Sequence, residues 1–205
     1  MKTTLRPATP HDSTVMGGVY LAAFPDSVQH FFGDRPPAPQ AVGDLLAIPL
    51  LAEPGCGWVA EADGVVVGYC LAPAHVSRLS RPLWRGHLLR MLGRWLTGRY
   101  RIGVGAAVRL ARDRLLVSTR DPHRVEAHIL SVALLPGCQG QGLGRELVQK
   151  GLAYLAACGA PRVRLEVRPD NTAALRLYER LGFATVGRTR DSQGEWLIMI
   201  REAAA

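Results

Sequence analysis

Apolar and polar residues repeat along this chain with two different periods, which predict an alternating series of strands and helices. Helical spacing, in which apolar side chains recur every three to four positions, is found in five segments: 13–23, 27–32, 40–52, 144–158 and 171–181. Segments that alternate or are rich in β-branched residues predict strands at 3–6, 57–61, 65–71, 125–135, 162–168, 183–189 and 195–201. This order predicts a mixed α/β fold in which one mixed sheet carries helices on both faces.

Residue types with special backbone preferences mark several element ends. Asp12 or Ser13 is a suitable N-cap for the first helix. Val15, Val19 and Ala22 lie at helical spacing and support a helix that extends to about Ala23. An Asp-Gly dipeptide between the second and third strands predicts a tight hairpin.

Composition argues against several classes of protein. Hydrophobic residues make up 48% of the 205 residues and charged residues 20%, which is typical of a folded chain with a sizeable core. No apolar segment reaches the roughly 18 residues of a membrane span, and the N-terminus lacks the apolar segment of a signal peptide. The four cysteines lie far apart without a CxxC pair, so we expect a cytoplasmic protein with neither disulfides nor a metal site.

The basic charge is concentrated in one segment, residues 73–122. This segment holds 11 of the 23 arginines and only two acids, a net charge of +9, whereas the other 155 residues sum to −1. Such a segment attracts anions of many kinds, although an ordinary solvated arginine-rich face would have the same composition. We interpret 73–122 as a helical insertion within a single domain that spans 1–205.

A glycine-rich turn follows the strand at 125–135 and opens the helix at 144–158. It reads Pro-Gly-Cys-Gln-Gly-Gln-Gly-Leu-Gly over residues 136–144. Glycines allow a sharp turn and a close approach to a ligand, and the N–H groups and dipole of the following helix favour an anion such as phosphate. The turn lacks the Gly-Lys-Ser/Thr of a P-loop and the GxGxxG spacing of a dinucleotide-binding fold. Taken alone, it is also compatible with an ordinary glycine-rich loop.

Two motifs together resemble a known family. The turn contains Gln-x-x-Gly-x-Gly, which is similar to the acetyl-CoA motif of the GNAT family of N-acetyltransferases. Residues 166–183, EVRPDNTAALRLYERLGF, resemble the second signature of that family: a strand, an Asn, a helix, a Tyr and then Gly-Phe. The resemblance is close over 125–201 and weak over 2–72. It implies a central, mostly antiparallel sheet whose parallel strands splay apart at the CoA site.

The resemblance also implies how acetyl-CoA would be bound. Backbone groups before the turn would bind the pantetheine arm and polarise the thioester carbonyl; these belong to Val132, Ala133 and Leu134. Backbone amides of the turn would bind the diphosphate; these belong to Gln139, Gly140, Gln141, Gly142, Leu143, Gly144 and Arg145. The side-chain amide of Asn171 would contact the cofactor, and Asn171 is equally suited to cap the helix that follows it.

Three residues are candidates for proton transfer. The resemblance implies that Tyr178 donates a proton to the departing CoA thiolate, a role that suits a phenol with an ordinary pKa near 10. Helical spacing also makes Tyr178 a candidate core residue. His128, eleven residues before Gln139, can titrate near neutral pH as a general base requires. Glu126 shares its strand face and would act as the base or orient His128, unless water alone carries the proton.

The amphipathic pattern of the insertion adds a possible second surface. Two helices are predicted, at about 82–97 and 103–117, and the first gathers its apolar side chains near one face: Trp84, Leu88, Met91, Leu92 and Trp95. It would form a lid that packs on the core beside the acceptor site, contact an anionic membrane, or form an oligomer interface between two copies of a homodimer. We favour the lid, with an acceptor attached to an acidic group. Nucleic-acid binding is a disfavoured alternative, because no recognised motif is present and few aromatics are interleaved with the arginines.

These observations predict an acetyl-CoA-dependent N-acetyltransferase that acts by direct attack in a ternary complex. The acceptor would be a primary amine of a small molecule or a protein, and the variable segments 24–56 and 73–122 would shape its pocket. A non-catalytic acyl-CoA-binding or regulatory module is the alternative from a different class. A protein that associates with membrane or nucleic acid through its basic insertion is a second alternative.

Overall fold

The computed structural model describes residues 3–82, 86–106 and 125–203. Its strands, in chain order, are β1 (Thr3–Pro7), β2 (Gly57–Ala62), β3 (Val65–Leu71), β4 (Ala127–His128), β5 (Ser131–Leu134), β6 (Arg162–Val167), β7 (Ala184–Asp191) and β8 (Gly194–Glu202). Its α-helices are α1 (Ser13–Ala23), α2 (Pro25–Phe32), α3 (Pro39–Ala52), α4 (Leu88–Leu96), α5 (Leu143–Ala157) and α6 (Thr172–Arg180). The mixed α/β fold class expected from the pattern is confirmed.

The strands of the described residues form two four-stranded sheets. One has the order β1-β2-β3-β5 and is antiparallel throughout. The other has the order β4-β6-β8-β7, in which only β4 and β6 are parallel. The expected mostly antiparallel arrangement is therefore divided into two hydrogen-bonded halves.

The predicted strand over 125–135 is wrong as a single strand. Its first part, β4, pairs with β6 and its second part, β5, pairs with β3. The change of partner takes one residue, because the Ile129 N–H donates to the carbonyl of Arg164 at 2.8 Å and the Leu130 N–H donates to the carbonyl of Leu71 at 2.8 Å. Beyond this point β5 and β6 diverge, which opens the sheet where the resemblance implies splayed parallel strands.

Apolar side chains on both faces of the sheets form two hydrophobic clusters. One contains α5 and α6 residues such as Leu147 and Tyr178, and the other contains α1 and α3 residues such as Met16 and Leu50. The central strand β3 contributes to both clusters, since Cys70 belongs to the first and Tyr69 to the second. Burial on both faces explains its continuous apolar sequence.

The first predicted helix is confirmed as α1, but the residues at helical spacing that support it do not all lie on its buried side. Val19 is buried, but Val15 is 49% exposed and Ala22 is exposed. The reason is the close approach of α1 to α3, where a Cβ at Gly17 would lie 2.1 Å from the carbonyl oxygen of Pro39. This contact turns Met16 and Gly17 inward. A search for apolar side chains overlooks it, because glycine has no side chain.

The insertion is described only in part. The helix predicted at about 82–97 corresponds to α4, although Trp84 lies outside the described residues. Most of the second predicted helix, at 103–117, also lies outside them. Within the described ranges, no helix has the length and hydrophobicity needed to cross a membrane.

Candidate active site

The divergence of β5 from β6 leaves one edge of β5 without a strand partner among the described residues. Leu135 donates its N–H to the Val67 carbonyl at 2.8 Å, so alternation makes Ala133 and Tyr69 a hydrogen-bonded pair. The backbone N–H and C=O groups of Val132 and Leu134 therefore point to the open edge. Of the three backbone segments expected at the pantetheine arm, these two face the opening and Ala133 faces β3.

The glycine-rich turn lies directly after this open edge. It begins with a short 3-10 helix, Pro136–Cys138, and then places Gly140 and Gly142 at φ values of 75° and 86°. L-residues with side chains rarely adopt this left-handed backbone, so glycine is required here by conformation. A Cβ added at either glycine would meet no described atom within 4 Å, so the turn presents bare backbone to open space.

Helix α5 starts directly at the end of the turn. Gly142 is its N-cap and brings no side chain, so the first amides, those of Leu143, Gly144 and Arg145, lack a side-chain cap among the described residues. Gly144 allows close packing on β5, because a Cβ there would lie 3.3 Å from Leu134 Cδ1. Such a helix start accepts an anion.

The two glutamines of the motif fold back onto the turn. Gln139 Nε2 donates to the carbonyl of Leu134 at 3.2 Å, and Gln141 Nε2 donates to the carbonyl of Gly137 at 3.2 Å. These bonds shape the loop and leave its ligand contacts to the backbone. A bare glycine backbone, an uncapped 15-residue helix and an open strand edge together fit the diphosphate and pantetheine of CoA.

Asn171 acts as a helix cap. Its Oδ1 accepts a hydrogen bond from the Ala174 N–H at 3.1 Å, and its side chain is exposed at the start of α6. This is the capping role that its position predicted. A cofactor contact through the amide nitrogen stays a prediction.

Tyr178 lies on α6 with its ring in the core. It is 9% exposed and contacts Phe183 edge to face, with ring centroids 5.9 Å apart. Burial, with a smaller contribution from the neighbouring Cys70, raises the pKa of Tyr178 above that of an exposed tyrosine. The described residues offer its hydroxyl no hydrogen-bond partner, and the phenol stays protonated at neutral pH.

Glu126 and His128 share one face of their strand, as alternation predicted. Both are half-buried, whereas Val125, Ala127 and Ile129 between and beside them are buried. His128 Nε2 lies 2.7 Å from the Val125 carbonyl oxygen, which can only accept, so Nε2 carries a proton. In the neutral ring, Nδ1 then carries the lone pair. The Glu126 carboxylate accepts from the Ser77 N–H at 3.2 Å and so fixes the segment after β3.

Two buried carboxylates were missed by the motif search. Glu53 accepts hydrogen bonds from the Ala74 N–H at 2.6 Å and the Tyr154 hydroxyl at 2.9 Å, which ties the end of α3 to the end of α5. Asp44, in the middle of α3, binds Arg94 of α4 and the Tyr100 hydroxyl. The available signal was an acid within or directly after the largely apolar helix at 40–52.

The variable segment 24–56 makes two contacts with other parts of the chain. His30 Nε2 of α2 lies 2.9 Å from Ser192 Oγ in the turn between β7 and β8. Elsewhere, a cavity of about 230 Å³ lies between the C-terminal end of α3 and the insertion. Its lining combines two arginines and a histidine with three apolar residues: Arg81, Arg90, His87, Leu51, Ala52 and Pro82. The anionic ligand expected at the insertion would fit this lining and stays a prediction.

The apolar face of the insertion does not pack on the core, so the contact expected for a lid is wrong for α4. None of the nine residues of α4 is buried, and Leu88 and Leu92 are 46% and 45% exposed. The helix contacts α3 through Arg94 and Asp44 instead, because that buried carboxylate needs a cation.

Within the described ranges, no cluster of His, Cys, Asp and Glu is arranged to hold a metal ion.

Comparisons with known proteins agree with this geometry. The model of the acetyltransferase (GNAT) family matches residues 20–183, most of the chain. A mycothiol acetyltransferase from Streptomyces scabiei is 54% identical over 54 residues, which cover 26% of this chain and 18% of that protein. The chain therefore matches less than a fifth of that relative's length.

Solved structures extend the likeness to the whole chain. The crystal structure of SsHAT has a TM-score of 0.72 at 25% identity and covers all of both chains. PaiA N-acetyltransferase from Thermoplasma acidophilum, in complex with coenzyme A, has a TM-score of 0.59 at 12% identity and covers 99% of this chain and all of the other. The latter likeness shows the fold alone. The family model matches most of this chain and the solved structures share its fold, so the chain belongs to the acetyltransferase (GNAT) family.

Proposed function

We propose that this enzyme transfers the acetyl group of acetyl-CoA to a primary amine by direct attack in a ternary complex. The observation that carries the proposal is the continuity of the open β5 edge with the uncapped start of α5. One feature suits the pantetheine arm and the other the diphosphate of a single extended ligand. When bound, acetyl-CoA would supply an acetyl thioester as the donor.

Backbone groups would do most of the binding. Val132 and Leu134 would hydrogen-bond the pantetheine arm, and the amides from Gln139 to Arg145 would bind the diphosphate. Gln139 Nε2 already donates to the Leu134 carbonyl, which has a second lone pair for the arm. Arg145 is exposed in the first turn of α5 and adds positive charge, whereas Glu146 beside it opposes an anion.

Tyr178 would act as the general acid. The proposal rests on burial, which keeps the phenol protonated at neutral pH, and on a hydroxyl that no described residue engages. A protonated phenol beside the reaction centre can give its proton to the sulfur as the carbon–sulfur bond breaks. Core packing against Phe183 would hold the ring in place for this step.

His128 would act as the general base and Glu126 as a positioning residue. The bond from His128 Nε2 to the Val125 carbonyl assigns the lone pair of the neutral ring to Nδ1, which can accept a proton from the acceptor ammonium. Glu126 is already engaged by the Ser77 N–H. It would then set the position of the segment that follows β3 rather than take the proton itself.

Direct attack is favoured over an acyl-cysteine route by the state of Cys70. This thiol lies beside Tyr178 and is completely buried, and burial raises its pKa to about 12. A neutral, inaccessible thiol is a poor nucleophile. The acceptor is therefore proposed to react with the thioester itself.

The class of acceptor is proposed only as a primary amine on a small molecule or a protein. The short match to mycothiol acetyltransferases covers too little of them to carry their acceptor to this chain. A first experiment would follow thiol release from acetyl-CoA with polyamines, aminoglycosides, amino acids and peptides. Release that depends on one class of amine would identify the acceptor.

The decisive test of the chemistry is the variant Tyr178→Phe. With the acceptor found above, we expect turnover to fall by about a hundredfold or more, since general acid catalysis contributes roughly that factor. The affinity for acetyl-CoA, measured by calorimetry, should stay within about twofold because the binding groups are backbone.

The matched control is Tyr20→Phe, which removes the hydroxyl of a tyrosine in α1 whose ring packs on Phe24. It should retain full turnover. Unchanged turnover in Tyr178→Phe would refute the acid role. Tight acetyl-CoA binding by the unaltered protein without thiol release for any amine would instead support the non-catalytic module.

A further inference from the structure

Helix α4 displays its apolar face to solvent. Leu88, Leu89, Leu92 and Leu96 lie within an arc of about 100° on the helix and form what we call the leucine face. Leu89 and Leu96 are 73% and 76% exposed, and Leu88 and Leu92 are about half exposed. A helix on the surface of a globular protein normally buries such a stripe. The orientation of α4 is therefore the reverse of the usual one.

The opposite side of α4 holds the helix on the protein. Arg94 Nη1 lies 2.6 Å from both carboxylate oxygens of Asp44 on α3. Just before the helix, the buried His87 ring contacts the Asp44 carbonyl oxygen through Nε2 at 2.8 Å. On a helical projection Arg94 lies about 180° from the centre of the leucine face. These bonds consequently aim the leucines away from α3.

The segment that carries the leucine face is rich in positive charge. Residues 86–106 contain four arginines and no acid. Arg94 is paired with Asp44, whereas the side chains of Arg90, Arg99 and Arg101 are exposed. Val104, later in the same segment, is 67% exposed. The segment thus combines exposed apolar side chains with positive charge, and it contains no acid to balance that charge.

We propose that the leucine face docks on an anionic lipid surface. A membrane interface offers apolar acyl chains to the leucines and negative headgroups to the arginines at once. A second copy of this chain suits the face less well, because a two-fold interface would bring the same unbalanced arginines together. The nine residues of α4 span about 14 Å, so the helix would lie in the interface plane and not cross the bilayer.

Vesicle co-sedimentation tests this inference, using the full-length protein. We expect binding to vesicles of phosphatidylglycerol and phosphatidylcholine at 50 mM salt, weakening at least tenfold at 500 mM salt. Binding to vesicles of phosphatidylcholine alone should be at least tenfold weaker. The double variant L89Q/L96Q should lose at least tenfold in affinity for the anionic vesicles.

The control variant is V15Q/V65Q, which replaces two exposed apolar residues outside the insertion. It should bind vesicles like the unaltered protein, and circular dichroism should show that both variants are folded. Absence of binding to anionic vesicles at low salt would overturn the proposal, as would equal binding by L89Q/L96Q. A dimer in sedimentation analysis that L89Q/L96Q abolishes, without vesicle binding, would assign the face to a second copy instead.

Discussion

Helices α4 and α5 have similar sequence patterns and opposite environments. Each carries a stripe of leucines at helical spacing. In α5 the stripe faces the sheet, and Leu147 and Leu155 are completely buried, whereas in α4 no residue is buried. An amphipathic pattern therefore identifies an apolar face, but the groups available on neighbouring elements decide where that face points.

The starts of helices α4 and α5 also have different environments. Helix α5 follows Gly142, whose bare backbone leaves the first amides available to an anion. Helix α4 follows His87, which is buried against Asp44. The start of α5 thus has uncapped amides that suit an anion, whereas the start of α4 is bound to α3 and its apolar face is exposed.

The largest expected difference between the two helices concerns a single leucine in each. Leu147→Ala should lower the free energy of unfolding by about 3 kcal/mol, because it leaves a cavity at a fully buried position. Leu96→Ala should change it by less than about 0.5 kcal/mol, because Leu96 is 76% exposed. Urea denaturation of both variants would measure this. A comparable loss in Leu96→Ala would mean that the leucine face is covered in the protein alone.

The ion pair between Arg94 of α4 and Asp44 of α3 orients α4, and it can be removed by changing Asp44. Asp44→Asn keeps the shape of the side chain but leaves Arg94 without its anion, so unfolding should become easier by about 1–2 kcal/mol, reduced by the partial exposure of Arg94. Amide hydrogen exchange should quicken in α4 and stay unchanged in α5. Asp26→Asn, at an exposed acid of α2, is the control. Unchanged exchange in α4 would show that Asp44 does not hold the helix.

Replacing one glycine at each helix by alanine should change the stability of the protein in opposite directions. Gly142→Ala should destabilise the protein by about 1 kcal/mol, because its φ of 86° is costly for an L-residue. Gly93→Ala should stabilise it by about 1 kcal/mol, because Gly93 lies inside α4 with no described atom within 4 Å of an added Cβ. Thermal unfolding would measure both changes. Shifts of the same sign would contradict the backbone conformations described here.

Local signals were sufficient for much of the fold. The Asp-Gly hairpin, the glycine turn and the Asn171 cap each depend on a few neighbouring residues, and each lies where the pattern predicts. The strand at 125–135 was misread because its residues are uniformly β-prone, while the exchange of partners at Ile129 and Leu130 depends on strands far away in the chain. Buried Asp44 and Glu53 were missed for the same reason, since their partners lie 21 to 101 residues away.

The sequence by itself determined the family resemblance, the glycine turn before α5 and the amphipathic character of α4. These features follow from residue type and short spacing, which a chain carries wherever it folds. Only the tertiary structure decided that Val132 and Leu134 face an open edge, that α1 turns Met16 inward, and that the leucine face points to solvent. Each of these depends on competition between distant partners for the same backbone group, charge or space, and such competition is resolved only when the elements pack together.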